Sequence, residues 1–369
     1  MNNQRLLDTF LDLVRISSPS KREAAVAAYC KTALEQAGCT VRIDGSGANT
    51  GSDTGNIQAT LPGTAPGKLY FSAHMDTVNP CENVKPIIQD GIIRSSGDTI
   101  LGGDDKSGIA AIIELLRTLQ EEGKPHPEVG VLISTCEEIG LLGAHHMEDT
   151  DFKGEPCFVL DGAEKPGTVV IGAPYHLVFE ATFTGKASHA GAEPEKGLSA
   201  IILAAKAIGN MELGRLSPSA TANVGTINGG NATNVVPSSC VITGEFRVMD
   251  KGDVDGIKKQ LDDAMNGAVA GTAGSVEITW KQEYPGFILP EDDPFILAVL
   301  DQAHALGFKA QAVVSGGGSD ANVYTDQGLR AVVLGNGMAD IHSLNESMAI
   351  QDLEDLTRFC VALTYAQIA

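Results

Sequence analysis

Apolar and polar positions alternate along residues 1–170 in two different periods. Apolar side chains at three- and four-residue spacing predict helices at 3–16, 22–37 and 106–122. Short runs of apolar and β-branched residues predict strands at 68–72, 129–134 and 157–160. Alternating helices and strands are typical of a parallel sheet with helices on its faces. The Gly- and Asn-rich stretch at 44–56 interrupts the pattern and is expected to be a surface loop.

The pattern changes near Tyr175 and returns to its first form after about Tyr284. The block between them predicts strands at 176–185, 222–228, 239–248 and 275–282, and helices at 197–209 and 253–270. This order of strands and helices is that of a ferredoxin-like α/β sandwich. Beyond the block, the chain predicts helices at 294–306 and 351–368 and strands at 310–314 and 331–335.

Composition limits the classes of partner. The chain has 369 residues, of which 43% are hydrophobic and 20% are charged, and this length is sufficient for two domains. Its 47 acidic and 26 basic residues give a formal net charge of −21. Such a charge repels nucleic-acid phosphate and anionic membrane surfaces, so neither is expected as a partner.

The cysteines and the first residues indicate a cytoplasmic location. Seven cysteines, an odd number without a Cys-x-x-Cys pair, are typical of reduced, buried thiols. The first residues have helical spacing rather than the basic and apolar regions of a signal peptide. The apolar runs are far shorter than the roughly 20 residues that a membrane span needs.

Five candidate metal-binding side chains each lie in a short segment that ends like a strand entering a loop. They are His74, Asp104, Glu138, Asp161 and His342, and Asp105 competes with Asp104. In open α/β sheets, ligands bind beyond the carboxyl ends of the strands. Zinc in proteins is usually tetrahedral, with imidazole and carboxylate among its ligands. Two histidines and three carboxylates, one of them shared, therefore predict a pair of zinc ions roughly 3.5–4 Å apart.

The order of these ligands along the chain predicts the domain organisation. His342 lies after the middle block, whereas the other four ligands precede it. If all five meet at one site, the α/β catalytic domain is discontinuous, at 1–174 and 285–369, and the ferredoxin-like block at 175–284 is inserted into it as a lid. The Gly- and Pro-containing joints at 172–175 and 284–286 then form a hinge.

Seven motifs resemble those of the co-catalytic zinc peptidases, in the same order along the chain. They are Ser72-Ala-His-Met-Asp76, Leu101-Gly-Gly-Asp-Asp-Lys106, Thr135-Cys-Glu-Glu138, Leu160-Asp161, Lys186-Ala-Ser-His-Ala-Gly191, Gly229-Gly-Asn-Ala-Thr-Asn234 and Ser315-Gly-Gly-Gly-Ser-Asp320. That family includes peptidase T, the glutamate carboxypeptidases, acetylornithine deacetylase and succinyl-diaminopimelate desuccinylase. The resemblance covers essentially the whole chain and is strongest to peptidase T and its relatives.

The resemblance implies a role for each ligand. His74 and Asp161 would hold one zinc, and His342 and Glu138 the other. Asp104 would bridge the two ions, because the family pattern Asp-x-Lys selects it over its neighbour. Members of the family have a cis peptide bond after this residue, so we expect one here. Manganese or cobalt can substitute for zinc, because such ligands are not selective by affinity alone.

The same resemblance implies further site residues. Asp76 would orient His74, since a ligating imidazole usually donates its second N–H to a carboxylate. Glu137 would be the general base that moves a proton from water to the leaving amine. His189 would stabilise the oxyanion, from the lid of its own chain or of a partner subunit.

Three residues resemble substrate-binding positions of the family. Asn234 and Arg247, both in the lid, would bind the substrate backbone or its carboxylate, which the planar fork of an arginine pairs bidentately. Ser319 would offer backbone N–H donors to a substrate terminus.

The implied reaction is amide hydrolysis, in which a hydroxide between two zinc ions attacks the carbonyl. Peptidase T resemblance implies small peptides cleaved at the N-terminal residue, and a homodimer formed through the lid. A deacylase or carboxypeptidase acting on N-acyl amino acids would have the same ligands. An inactive homologue that binds peptides would be free to lose the ligands and Glu137, all of which are present.

Overall fold

The computed structural model describes residues 1–148, 150–366 and 368. Its helices are α1 (Asn3–Arg15), α2 (Ala24–Gln36), α3 (Gly47–Thr50), α4 (Gly103–Glu122), α5 (Leu142–His145), α6 (Ala200–Asn210), α7 (Val254–Val269), α8 (Pro294–Ala305), α9 (Asp320–Asp326) and α10 (Ile350–Tyr365). Its strands are β1 (Thr40–Ile43), β2 (Ile57–Leu61), β3 (Lys68–His74), β4 (Pro86–Gln89), β5 (Ile92–Ser95), β6 (Glu128–Ser134), β7 (Pro156–Gly162), β8 (Thr168–Ala173), β9 (Tyr175–Thr184), β10 (Gly214–Ser217), β11 (Ala220–Gly229), β12 (Ser239–Val248), β13 (Ser275–Tyr284), β14 (Phe287–Ile288), β15 (Gln311–Val314), β16 (Arg330–Gly335), β17 (Met338–Ala339) and β18 (Ser347–Ala349).

Two units are present, Met1–Ala173 with Phe287–Ala369, and Pro174–Gly286. Their bounds lie one or two residues from those expected from the sequence, 174/175 and 284/285. Gln367 and Ala369, which fall within the expected terminal segment, lie outside the described residues. The terminal helix α10 ends at Tyr365.

The discontinuous unit is built on a nine-stranded sheet in the order β1-β2-β6-β3-β7-β16-β8-β14, with β15 paired to β8. Its central strands β6, β3, β7 and β16 run parallel, as the sequence predicts. The pairs β1–β2, β2–β6 and β8–β16 are antiparallel. The central strands are buried along nearly their whole length, because helices cover both faces.

Helix α1 shows how the local sequence produces these elements. Asn2 caps it by accepting a hydrogen bond from the backbone N–H of Arg5 at 3.1 Å, a contact that contributes about 1 kcal/mol. Leu6, Phe10 and Leu13 are fully buried at helical spacing. The opposite side of the helix is polar. The apolar residues whose spacing predicted the helix are therefore the ones that pack against the core.

A second sheet of four short strands, β17-β18-β5-β4, was not expected from the sequence. Strands of two to four residues are too short to show a period of their own. Helix α9 was also not expected, because it follows a triple-glycine segment that is typical of a loop.

The segment 44–56 is only in part the surface loop expected from its composition, because exposed and buried residues alternate along it. It contains α3, and the side chains of Asp44, Ser46, Thr50 and Asn56 are buried. Asp44 Oδ1 accepts hydrogen bonds from the backbone N–H groups of Ser46 at 3.0 Å and Asn56 at 2.9 Å. Glycine and polar residues therefore fold inward here because they satisfy one another's hydrogen bonds.

The inserted unit has a five-stranded antiparallel sheet in the order β10-β11-β12-β9-β13. Helices α6 and α7 bury their apolar sides against it, around Phe183, Phe246 and Leu261. Apart from the added edge strand β10, the order is that of the ferredoxin-like sandwich predicted from the sequence.

All seven cysteines are buried free thiols. Burial raises the pKa of the Cys136 thiol to about 12, so Cys136 is not an activated nucleophile. Within the described ranges, no helix combines the length and the apolar character that crossing a membrane requires.

Candidate metal centre

Three neighbouring parallel strands end at one edge of the large sheet. β3 lies between β6 and β7. His74 is the last residue of β3, Asp161 is the last but one of β7, and Glu138 lies four residues beyond the end of β6. The strand ends therefore bring together residues that are far apart in the sequence.

Asp104 lies between two imidazoles. Its Oδ1 is 3.0 Å from Nε2 of His74, and its Oδ2 is 3.3 Å from Nε2 of His342. Glu138 Oε2 lies 3.0 Å from Nε2 of His342, and Asp161 Oδ1 lies 3.8 Å from Nε2 of His74. A carboxylate that presents one oxygen to each of two histidines has the geometry of a bridging ligand.

Asp105 is a competitor for that position. Ligand atoms of His74, Asp104 and Glu138 lie within 4.8 Å of one another, and so do those of His74, Asp105 and Asp161. The carboxylate of Asp105, however, already accepts three hydrogen bonds. They come from the backbone N–H groups of Gly108 and His74, at 3.1 and 3.3 Å, and from Nδ2 of Asn336, at 3.1 Å. Asp104 is therefore the carboxylate whose oxygens face both histidines, and the peptide bond between it and Asp105 is cis, as expected.

The charges of the cluster fit cations. Burial raises the pKa of Asp161 to about 7, and the Asp104 carboxylate adds to this effect. Burial also opposes ionisation of Asp104, but hydrogen bonds from His342 and His74 outweigh it and keep its pKa below the usual range. Hydrogen bonds to Asp104 and Glu138 raise the pKa of His342 to about 10. Because buried charges of one sign must be balanced by protons or cations, this donor set of imidazoles and carboxylates suits divalent metal ions.

Asp76 connects His74 to the two glutamates. Nδ1 of His74 donates to the backbone oxygen of Asp76 at 2.9 Å and lies 3.5 Å from its carboxylate. The same carboxylate accepts the backbone N–H groups of Glu137 at 2.9 Å and Glu138 at 3.3 Å. The backbone of Asp76 thus makes the closer contact to the imidazole, while its side chain holds the next loop.

Glu137 and Glu138 differ in their surroundings. Glu138 reaches His342, as a ligand position requires. The Glu137 side chain is buried, and burial raises its pKa well above the usual value, with further contributions from the carboxylates of Asp161 and Asp320 and an opposing one from His74. Such a carboxyl group beside the ligands can take up and release a proton.

Ser319 is a helix cap. Its side chain accepts the N–H of Ala321, and its own backbone N–H donates to Oδ1 of Asn322 at 3.0 Å. The N–H that was expected to meet a substrate terminus is therefore already used within the loop.

Two buried acids near the cluster were not expected from the sequence. Asp320 accepts a hydrogen bond from the Ser134 hydroxyl, and burial raises its pKa to about 6. Glu346 accepts the backbone N–H groups of Gly102 at 2.8 Å and Asp104 at 3.1 Å. The signals in the sequence are weak: Asp320 ends the triple-glycine motif, and Glu346 stands four residues after His342.

In the inserted unit, His189 and Asn234 lie close together. His189 pairs with Val235 as a β-bridge, and the backbone N–H of Ala190 donates to Asn234 O at 2.9 Å. Nδ1 of His189 accepts the N–H groups of Gly191 and Ala192, at 3.2 and 3.0 Å. The neutral ring therefore carries its proton on Nε2, which can donate.

Arg247 lies at the other end of the same sheet. On β12, Arg247 pairs with His176 and Thr221. Cys240, near the opposite end of β12, pairs with Gly229, which lies five residues before Asn234. Seven residue-to-residue steps along strand β12 separate these two rungs, which is roughly 20 Å at the rise of a β-strand. Nε of Arg247 lies 3.4 Å from Oε1 of Glu245.

Comparison with known proteins gives consistent results. The sequence model of Peptidase family M20/M25/M40 matches residues 70–366. The uncharacterized protein YqjE from Bacillus subtilis is 37% identical over 364 residues, with 98% of both chains covered.

Two solved structures resemble the whole chain. Aminopeptidase PepT from Bacillus cereus has a TM-score of 0.93 and 35% identity, with 100% of both chains covered. A tripeptidase from Staphylococcus aureus has a TM-score of 0.94 and 36% identity, with 100% of this chain and 99% of that chain covered.

Proposed function

The chain belongs to Peptidase family M20/M25/M40 and is a metallopeptidase-type hydrolase, and on that premise we propose that it removes the N-terminal residue from small peptides such as tripeptides. The observation that carries the proposal is the full-length similarity to an aminopeptidase and a tripeptidase. Shared ligands alone would not separate this activity from deacylation, since the metal chemistry is the same.

We assign the ligands to two positions that share Asp104. His74 and Asp161 form one with it, and His342 and Glu138 form the other, following the distances between their side-chain atoms. Zinc is the expected metal, and manganese or cobalt can substitute. Metal ions held by these residues would supply a polarised carbonyl and a water of lowered pKa.

Glu137 is the residue assigned to move the proton. Its buried carboxyl group lies beside the ligands, and its backbone N–H donates to the carboxylate of Asp76. As a carboxylate it accepts the proton of the attacking water, and as a carboxylic acid it donates that proton to the leaving amine.

His189, Asn234 and Arg247 contribute to substrate binding from two copies of the chain. Within one inserted unit, Arg247 is roughly 20 Å from the other two along the strands, which is longer than a tripeptide. If all three contact one substrate, His189 and Asn234 come from one copy of the chain and Arg247 from the other. Nε2–H of His189 then donates to the developing oxyanion.

The inserted unit has a surface that suits such a homodimer. Strand β10 covers only Ala220–Ala222 of β11, so the Asn223–Gly229 part is an edge within the described residues. Ile202, Ile227 and Val235 nearby are 67%, 48% and 43% exposed. An uncovered edge strand with apolar neighbours is a template for pairing with a second copy.

A peptide panel tests the proposed activity. The purified protein, reconstituted with zinc, manganese or cobalt, is incubated with free tripeptides, their N-acetylated forms and their C-terminally amidated forms. We expect cleavage of free and amidated tripeptides at the first bond, and Glu137→Gln as an inactive control. Cleavage of only N-acetylated peptides would establish a deacylase, and release of the last residue a carboxypeptidase. No turnover by the metal-loaded protein would favour a peptide-binding module.

A further inference from the structure

The loop Thr135–Gly143, which carries both glutamates, is held by side chains at four consecutive backbone N–H groups. Thr135 N–H donates to Asn56 Oδ1 at 3.0 Å, Cys136 N–H to Glu23 Oε1 at 3.1 Å, and Glu137 and Glu138 N–H to the two carboxylate oxygens of Asp76 at 2.9 and 3.3 Å. We call this segment the glutamate loop. Its backbone is fixed by side chains where a strand would use a neighbouring strand.

The three accepting side chains come from separate parts of the chain. Asn56, Glu23 and Asp76 are each 0% exposed. Asn56 also holds the far end of the glutamate loop, because its Nδ2 donates to Gly143 O at 2.9 Å while Gly143 N–H donates to Thr135 O at 2.8 Å. One amide side chain therefore fixes both ends of the loop.

Glu23 is a buried carboxylate outside the candidate metal centre. Its Oε1 accepts three hydrogen bonds, from the backbone N–H groups of Lys21 at 2.9 Å and Cys136 at 3.1 Å and from the Cys136 thiol at 3.3 Å. Its Oε2 accepts the hydroxyl of Ser52. Glu23 therefore connects the segment before α2 both to the segment 44–56, through Ser52, and to the glutamate loop, through Cys136.

Cys136 needs such support. Its φ is +55°, in the left-handed region that residues with a Cβ adopt at a cost. The two bonds from Cys136 to Glu23 stabilise this conformation. In it, the strand direction of β6 changes immediately before Glu137 and Glu138, so that both side chains are available to the ligand cluster.

We propose that Glu23 and Asn56 are positioning residues for the two glutamates, acting through the backbone N–H groups of Cys136 and Thr135. Without them the loop relaxes, Glu138 is displaced from His342, and Glu137 is displaced from the attacking water. The step that concerns Glu137 rests on the proposed function, whereas the effect on Glu138 is a matter of metal affinity. The two consequences are measured separately.

The test compares Glu23→Ala with two controls. Glu23→Gln keeps the contacts, since its amide oxygen can accept at the Oε1 position and its NH₂ can donate to Ser52. Glu114→Ala removes another buried carboxylate of the same unit, one that pairs with Arg5 and Asn2 rather than with the glutamate loop. It therefore reports what loss of stability alone does to activity and to metal binding.

Cobalt(II) binding to the apo-protein, in competition with a chelator, is the first readout. We expect Glu23→Ala to weaken one of the two bound ions roughly 10- to 100-fold, as loss of contacts that orient a ligand does elsewhere. The affinity of Glu23→Ala for the other ion should stay near the wild-type value. Glu23→Gln and Glu114→Ala should bind both ions with near wild-type affinity. Amide hydrogen exchange should accelerate at Cys136 and Glu137 in Glu23→Ala but not in Glu114→Ala.

Turnover is the second readout. The kcat of Glu23→Ala, normalised to folded protein, should fall roughly 10- to 100-fold with KM nearly unchanged, because displacement of a catalytic group by about 1 Å has that effect. Ser52→Ala is a milder change, because it removes only the hydroxyl that donates to Glu23. It should shift metal affinity and amide hydrogen exchange in the same direction as Glu23→Ala, and it decides the test if Glu23→Ala does not fold.

Wild-type cobalt affinity and wild-type amide exchange in a folded Glu23→Ala, or in Ser52→Ala if the former does not fold, would overturn the proposal. So would an equal loss of metal affinity in Glu114→Ala at the same stability. If the wild-type protein binds two ions but cleaves no peptide, the proposed function fails, while cobalt affinity and exchange still decide the role of Glu23.

Discussion

Glu137 and Glu138 are adjacent residues with the same chemistry, and their surroundings separate them. Glu138 lies 3.0 Å from Nε2 of His342, whereas Glu137 is buried next to Asp161 and Asp320, with a pKa well above its usual value. Both residues lie in a loop beyond the end of β6, and Glu138 is the one whose carboxylate reaches His342. The expected result is one ligand and one proton carrier.

Alanine substitutions of the pair test this division. Glu138→Ala removes a charged ligand and should lower metal content below two ions per chain. Glu137→Ala should keep both ions and lose kcat by roughly 10²–10⁴-fold, the contribution of general acid–base catalysis. Metal analysis and steady-state kinetics on both variants are the measurements. Metal loss in the Glu137 variant, with metal retained in the Glu138 variant, would reverse the assignment.

At the scale of elements, helix α4 lies unusually close to the sheet behind the metal centre. A Cβ at Gly108 would come within 2.5 Å of Oδ1 of Asp105 and 2.6 Å of the backbone oxygen of Leu160. Glycine therefore stands near the start of the helical part of α4, because the backbone there must approach the end of β7. This approach places Asp104, whose own φ and ψ are not helical, among the strand ends.

Replacement of this glycine should be costly. Gly108→Ala is expected to destabilise the protein by about 1–3 kcal/mol, as overpacking of a filled core does. Gly256→Ala in α7 is the matched control, because nothing lies within 4 Å of the added methyl group, and it should be stabilising by about 0.5–1 kcal/mol. Urea unfolding of both variants measures the difference. A Gly108→Ala protein as stable as the wild type would contradict the close approach.

At the scale of the whole molecule, the ligand set defines the metal content. Five ligands around a shared carboxylate predict about two divalent ions per chain. Removal of both by a chelator should abolish turnover, and zinc, manganese or cobalt should restore it. Elemental analysis after gentle purification gives the count. A protein that is fully active with one ion would exclude the dinuclear centre.

Subunit mixing tests the contribution of a second copy. If His189 acts in the partner's site, His189→Ala and Glu137→Ala are each nearly inactive alone but complement each other when co-expressed. About half of the dimers are then mixed, each with one intact site in two, so activity should recover to about a quarter of wild type. Ile202→Lys, at the exposed edge of the inserted unit, should give monomers in sedimentation experiments. Failure of the two variants to complement in a proven dimer would show that His189 acts within its own chain.

Much of this protein can be inferred from local sequence alone. The 3.6-residue period of α1, the apolar runs of β3, β6 and β7, and the polar residues directly after them depend on neighbouring positions only. Because carboxyl ends of parallel strands meet at one edge of a sheet, the strand pattern also indicates that His74, Glu138 and Asp161 converge. The two histidines and three carboxylates fix the class of metal by their donor atoms.

Other features depend on contacts between distant segments, which a local pattern does not contain. Segment 44–56 has the composition of a surface loop, yet Asn56 is buried because Thr135 and Gly143 lie within hydrogen-bond distance of it. Asp104 and Asp105 are the same residue type at neighbouring positions. Only the hydrogen-bond donors around Asp105 distinguish their roles as candidate ligands. Glu23 carries no motif; its role follows from the 113 residues of chain that fold back to bring Cys136 against it. Sequence thus determines which chemical groups the protein has. Tertiary structure decides which of them are occupied by hydrogen bonds within the protein and which can bind a metal ion or move a proton.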